Sequence, residues 1–217
     1  MQRREIETPT ATLIEEAIDS GDAPEAKRLL HLMTGDWARN KDYSINWIAS
    51  LLSFIGRRLG EAAVEEALRD FGDRYLRERR SGTVEVDPRK RMEGVVRGMK
   101  ANGADVQFQE DDDKFVLSFR CGSGGMLIDG GAYAPPRDYL TLREPGPRTF
   151  GRDSLPVYCA HCSVNNEIVP IEETGAPATI EFPPERPGER CIHHIYKDRA
   201  WIPEDVYRRV GLEKPEG

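Results

Sequence analysis

Four cysteines and three histidines gather in the second half of the chain: Cys121, Cys159, Cys162 and Cys191, with His161, His193 and His194. The first 103 residues hold a single histidine, His31, and no cysteine. The tightest group is Tyr158-Cys159-Ala160-His161-Cys162. Two cysteines separated by two residues let a tight turn aim both sulfurs at one tetrahedral ion. Cys121 follows the strand-like run Phe115–Arg120 and precedes a glycine turn, and Cys191 enters a second such run toward Tyr196. Strand ends and turns are places where remote segments meet, and four soft ligands there suit Zn²⁺, with sulfur at about 2.3 Å. The expected ligands are Cys121, Cys159, Cys162 and Cys191. His193 is the alternative ligand, because alternation along a strand puts it, and not His194, on the side of Cys191.

Other readings of the same residues stand beside this one. A redox Cys-x-x-Cys prefers a helix N-terminus, whereas residues 163–170 (SVNNEIVP) read as turn and strand. Buried free thiols are the plain alternative. Four thiolates would close a structural zinc site, and three ligands plus water would leave a catalytic one. In the catalytic case His161, inside the knuckle, is the candidate proton carrier. Gly122, Gly124 and Gly125 flank Ser123 after Cys121. They permit positive φ and close backbone approach, and their amides form either an anion nest or a bulged turn. Ser123 is a candidate substrate-binding residue there. So are Trp37, Tyr43 and Trp47, which cluster around a predicted helix junction at Asp36–Tyr43. No P-loop, G-x-S-x-G elbow, HExxH or dinucleotide fingerprint is present.

These side chains need elements to position them. Thr8-Pro9 opens a first helix with a Leu13, Ile14, Ala17, Ile18 stripe. Asp22 opens a second and Asp42 a third, with Gly60 as an interruption. Asp87-Pro88 starts another helix, with Met92, Val95, Val96 and Met99 inward and Asn102-Gly103 as its stop. From Ala104 the apolar period drops to two, with Glu110–Lys114 as a hairpin turn. Thr179–Phe182 and Cys191–Tyr196 read as later strands, and Pro203–Val210 as a closing helix. The expected fold class is α+β: a helical region, 1–103, packed on a small, mixed, zinc-bearing region, 104–217.

The 217 residues suffice for a sizeable core. With 38% hydrophobic and 32% charged residues, the composition is that of a soluble globular protein. The net charge of −7 argues against nucleic acid and anionic membranes as partners, since both need a positive field. The basic runs Arg77–Arg80 and Arg89–Arg91 read as solvated faces. No apolar stretch approaches the roughly 18 residues of a membrane span, and the charged N-terminus does not read as a secretory signal. The expectation is a cytoplasmic protein, where clustered cysteines serve metals or catalysis more often than disulfides. The expected partner is a small-molecule ligand, and a homodimer is the assembly to test.

At these residues the chain resembles a poorly characterised bacterial family carrying a CGSGG turn, a YCAHC knuckle and a late Cys…Tyr-Lys-Asp…Ile-Pro stretch. Here these are Cys121–Gly125, Tyr158–Cys162, and Cys191 with Tyr196-Lys197-Asp198 and Ile202-Pro203. More distantly, the layout is similar to L-2-amino-thiazoline-4-carboxylic acid hydrolase-like and vinyl-reductase-like small-molecule-binding proteins. That similarity implies a small organic ligand and a metal, although the Cys-Ala-His-Cys knuckle departs from their pattern. The function expected is a zinc protein that binds or transforms a small organic molecule, by metal-assisted hydrolysis or C–X lysis if it is an enzyme. The alternatives are a non-catalytic sensor or binding module with a structural four-cysteine zinc, and a protein-interaction adaptor.

Overall fold

A computed structural model describes residues 3–77 and 87–215. Of the Arg77–Arg80 run, residues 78–80 lie outside the described residues. The chain divides into two compact units, Met1–Ile45 and Asn46–Gly217. In the first, α1 (Arg3–Glu7) buries no residue, and α2 (Thr10–Asp19) and the start of α3 (Ala23–Leu59) pack around Leu13, Ala17 and Leu29. Pro9 precedes α2, and Asp22 Oδ1 accepts from the Glu25 amide at 3.1 Å to start α3.

The predicted junction at Asp36–Tyr43 does not form. The α3 helix runs unbroken through it, and Asp42 caps nothing. The residues that compete with helices elsewhere are satisfied inside this one. Thr34 Oγ1 donates to the Leu30 carbonyl at 2.9 Å, and Ser44 Oγ to that of Asn40 at 2.9 Å. Asp36 pairs with Arg39 one turn on. Trp37 and Tyr43 are exposed on the part of α3 that belongs to the first unit.

In the second unit the fold is α+β, as its sequence pattern dictates. Gly60, at φ +93°, turns the chain from α3 into α4 (Glu61–Phe71). Asp87 Oδ1 accepts from the amides of Arg89 and Lys90, and Pro88 fills the first turn of α5 (Pro88–Ala101). Gly103, at φ +76°, closes it. The strands β1 (Asp105–Glu110) and β2 (Lys114–Arg120) form the hairpin. A short α6 (Gly124–Asp129) follows, then β3 (Thr141–Leu142) paired with β4 (Leu155–Pro156). The chain continues through α7 (Val169–Thr174), β5 (Ile180–Phe182), β6 (Cys191–Tyr196) and α8 (Glu204–Arg208). The main sheet is antiparallel, in the order β1-β2-β6-β5.

Two apolar cores fix these layers. Met92 and Met99 of α5 cover Phe115, Leu117, Phe119 and Ile195 on one sheet face, with Val95 and Val96 partly buried against them. The larger core joins Leu52 of α3 and Val64 and Leu68 of α4 to Leu142, Leu155, Ile168 and Tyr207. At Gly56 a Cβ would stand 2.3 Å from a Leu140 methyl, so only glycine lets α3 approach there. Ser53 Oγ accepts from the Leu140 amide at 2.9 Å across the same contact. No helix among the described residues is long and apolar enough to cross a membrane.

Candidate functional site

Strand alternation supplies one wall of the site. Along β6, Cys191 and His193 point to the buried side, and Ile192 points out. The register sets Cys191 opposite Phe119 and His193 opposite Leu117 on β2, and Glu181 opposite His193 on β5. Cys121 lies two residues past Phe119. One sheet face therefore presents Cys191, His193 and Glu181, with Cys121 at its edge.

The second wall corrects the sequence reading. Residues 163–170 are not turn and strand: Val157–Cys159 forms a 3₁₀ turn, and Cys162–Ile168 forms a π-helical stretch that runs into α7. Cys159, His161 and Cys162 thus sit on helical turns, with Asn165 and Asn166 following. Pro170 is tolerated because it falls in the first turn of α7. The third wall is α5. Together they enclose a cavity of about 590 Å³, lined by Cys121, Ser123, His161, Cys162, Cys191, His193 and Glu181 among others. Trp47 is not among its lining residues.

The glycines around Cys121 act through space rather than through positive φ. A Cβ on Gly122 would lie 1.7 Å from the Asn102 carbonyl oxygen. One on Gly124 would lie 2.9 Å from Cys159 Sγ, and one on Gly125 would lie 2.8 Å from Cys121 Cβ. The turn is a close-packed seat for two of the thiols. Cys121 Sγ rests 3.2 Å from Ser123 Oγ. The Tyr158 hydroxyl lies beside them, and burial, then Cys162 and Cys121, push its pKa up.

Cys159 and Cys191 are buried, Cys121 and Cys162 partly so, and the thiols feel one another. All four cysteines are free. Burial foremost, then Cys121 and Glu181, raises the pKa of Cys159. Burial, then Glu181, raises those of Cys162 and Cys191. In metal-free protein these three are neutral thiols, the opposite of the activated thiolate of a redox dithiol. As they stand, no three His, Cys, Asp or Glu side chains among the described residues group tightly enough to hold an ion.

Glu181 is a candidate site residue that the sequence reading did not include. Its side chain is fully buried. Oε1 accepts from Asn166 Nδ2 at 2.7 Å and Thr179 Oγ1 at 2.8 Å, and stands 3.4 Å from His193 Nε2. Burial acts against its charge. His193, Cys162, His161 and Thr179 outweigh that effect and bring its pKa below the usual value. Burial also drives the pKa of His193 down, so this imidazole is neutral. The Asn166 and Thr179 donors also meet its Oε1 directly, as a carboxylate requires. A polar side chain amid apolar strand residues was the only available signal, and its meaning depends on the register.

His161 has a defined tautomer. Nδ1 lies 2.6 Å from the Tyr158 carbonyl oxygen, which only accepts, so Nδ1 carries the proton. Nε2 then presents a lone pair 3.6 Å from Cys162 Sγ. Several buried polar atoms around the cavity have no partner: Glu181 Oε2, His193 Nδ1, and both amide atoms of Asn165. Such atoms are costly unless something binds them. No family model matches the chain, and no curated protein or solved structure does either. The chemistry of the site rests on these residues alone.

Proposed function

We propose that the protein holds a zinc ion with its cysteines and takes a small organic molecule in the adjoining cavity, with hydrolysis or C–X lysis as its chemistry. One observation carries this reading. Cys121, Cys162 and Cys191 line one cavity with His161, His193 and the buried Glu181 carboxylate, Cys159 packs behind them against Gly124, and several polar atoms of the cavity are left unpartnered. Cys121, Cys159, Cys162 and Cys191 would hold the metal, with His193 as the alternative ligand. Soft sulfur donors fit Zn²⁺. Gathering them requires their deprotonation, which metal binding drives. When bound, zinc supplies a Lewis acid that polarises a substrate or its attacking water. His161 Nε2 is placed to accept a proton from a group in the cavity, because its Nδ1 proton is committed to Tyr158. The Glu181–His193 pair keeps a carboxylate in a water-poor wall next to it.

The apolar part of the lining, with Val95, Met99, Phe119 and Pro177, favours a second reading. This is a binding module whose zinc is a closed staple. Zinc-edge X-ray absorption with metal stoichiometry separates the two. Three or fewer sulfurs plus a nitrogen or oxygen support the catalytic reading, and four sulfurs support the staple. Cys162→Ser should release the metal and unfold the second unit's cysteine-bearing part. A variant that keeps both its zinc and its Tm would remove the metal reading altogether.

A further inference from the structure

The same cavity has a cationic end. Arg91 and Lys90, on the first turns of α5, line it with Arg199. Arg91 gives one Nη2 hydrogen bond to the Tyr196 carbonyl at 2.7 Å. Its Nε is buried without a partner, and no carboxylate among the described residues answers its charge. Burial first, and Arg199 second, depress its pKa, so the two cations feel each other across the space. Among the described residues, Lys90 and Arg91 stand at this end of the cavity, whose only lining carboxylate is Glu181, in a chain of net charge −7. The sequence reading of Arg89–Arg91 as a solvated face holds for Arg89 and Lys90. It fails for Arg91, which is half-buried.

The distance between the ends follows from α5. Its start is tied to Tyr196, and Asn102 past its end packs on Gly122, beside Cys121. Eleven residue steps along the helix carry the chain from Arg91 to Asn102, a rise of roughly 16 Å. Between them, Gly94 and Gly98 lie one turn apart and both line the cavity, and an added Cβ on either meets nothing within 4 Å among the described residues. Glycine weakens a helix interior, so packing against the described residues does not account for either. Together they leave a trough along α5, floored by Val95 and Met99.

We propose that this trough binds a small organic anion, its acid group at Arg91 and Lys90 and its body over Gly94 and Gly98, reaching toward the cysteines. The inference deepens the reading of the same cavity as a small-molecule site. The test is calorimetric titration of the full chain with four probes: 4-phenylbutyrate, 4-phenylbutyl phosphate, 4-phenylbutanamide and 4-phenylbutylamine. One or both anions should bind at least tenfold tighter than the amide and the amine, and the better anion tells a carboxylate ligand from a phosphate. Arg91→Met should erase the preference. Gly94→Leu, a better helix former, should keep or raise Tm and weaken the anion at least tenfold by filling the trough. Amide or amine binding equal to that of the anions, or a folded Gly94→Leu that binds like the wild type, would overturn the proposal. Zinc is assayed on the same samples. Zinc without anion preference sinks this inference and spares the metal reading, and anion preference without zinc does the reverse.

Discussion

At Gly124 and Gly98 the same substitution should have opposite effects, because the space around the two positions differs. A methyl on Gly124 meets Cys159 Sγ at 2.9 Å and the Tyr158 ring at 3.3 Å, and the sulfur sits in a packed wall. Gly124→Ala should therefore cost about 1–3 kcal/mol, as overpacking does, and on the proposed zinc reading should lower zinc affinity by displacing Cys159. Gly98→Ala meets open space in a helix interior and should stabilise by roughly 0.5–1 kcal/mol. Urea denaturation of the pair measures the difference. Equal effects would mean that the seat around Cys159 is slack. This scale also shows what side-chain type can and cannot reveal. The cysteines declare themselves, because few residues ligate soft metals. Glu181 is one of 38 acidic residues, and Arg91 one of 31 basic ones. Only register and burial distinguish them.

Among the elements, those with strong local signals were legible. Asp87-Pro88 caps α5 as written, Gly103 ends it, and the period of two after Ala104 becomes the β1–β2 hairpin. Where local and tertiary demands conflict, the sequence misled. The Asp36–Tyr43 stretch looked like a break because Asp42 can cap, yet nothing there removes a backbone donor, and α3 continues. Residues 163–170 hold β-branched side chains and a proline, and they fold as helix because of partners remote in sequence. Glu167 in that segment accepts from Arg209 Nε at 3.2 Å and from the Glu181 amide at 2.7 Å. Arg209 also donates to the Glu181 carbonyl at 3.1 Å, and its guanidinium lies between the Phe150 and Phe182 rings, under 5 Å from each by its carbon at 4.8 and 4.7 Å. This buried clamp ties the helical wall to β5 and so places Glu181 opposite His193. Burial already pushes the Glu167 pKa up to about 8 against the pull of Arg209, so Arg209→Leu leaves a protonated buried acid held only by the Glu181 amide and should cost about 1–3 kcal/mol. Hydrogen exchange at the amides of residues 165–171 should rise with it. A loss below about 1 kcal/mol would mean that the apolar core alone shapes the segment.

For the whole molecule, burial of so many titratable groups around one cavity makes stability depend on pH in a way that metal should change. Burial holds the thiols of Cys159, Cys162 and Cys191 well above their ordinary value near 9. Above that value the unfolded chain releases these protons while the folded metal-free protein keeps them. The folded state then binds more protons, and its stability falls as pH rises. Three thiols titrating together give a slope of about 4 kcal/mol per pH unit, at about 1.4 for each. On the acid side, burial holds His193 and His194 below their ordinary 6.5. The unfolded chain takes up protons there that the folded chain refuses, so stability also falls as pH drops below that value. Glu167, which burial pushes up to about 8, keeps its proton when folded where the unfolded chain has lost it, so stability also slopes downward from about 4.5 to 8. Metal-free protein should therefore be most stable near the lower of these limits. On the proposed zinc reading the alkaline limb should disappear: ligands already ionised in the folded state would lose nothing to a rising pH, while protons would compete with the metal as pH falls. Melting curves from pH 5 to 10.5, with chelator and with zinc, read both limbs. An alkaline fall that persists unchanged in zinc would show that these thiols are not its ligands. A chelated sample that stays flat to pH 10.5 would show that they are not buried as thiols at all.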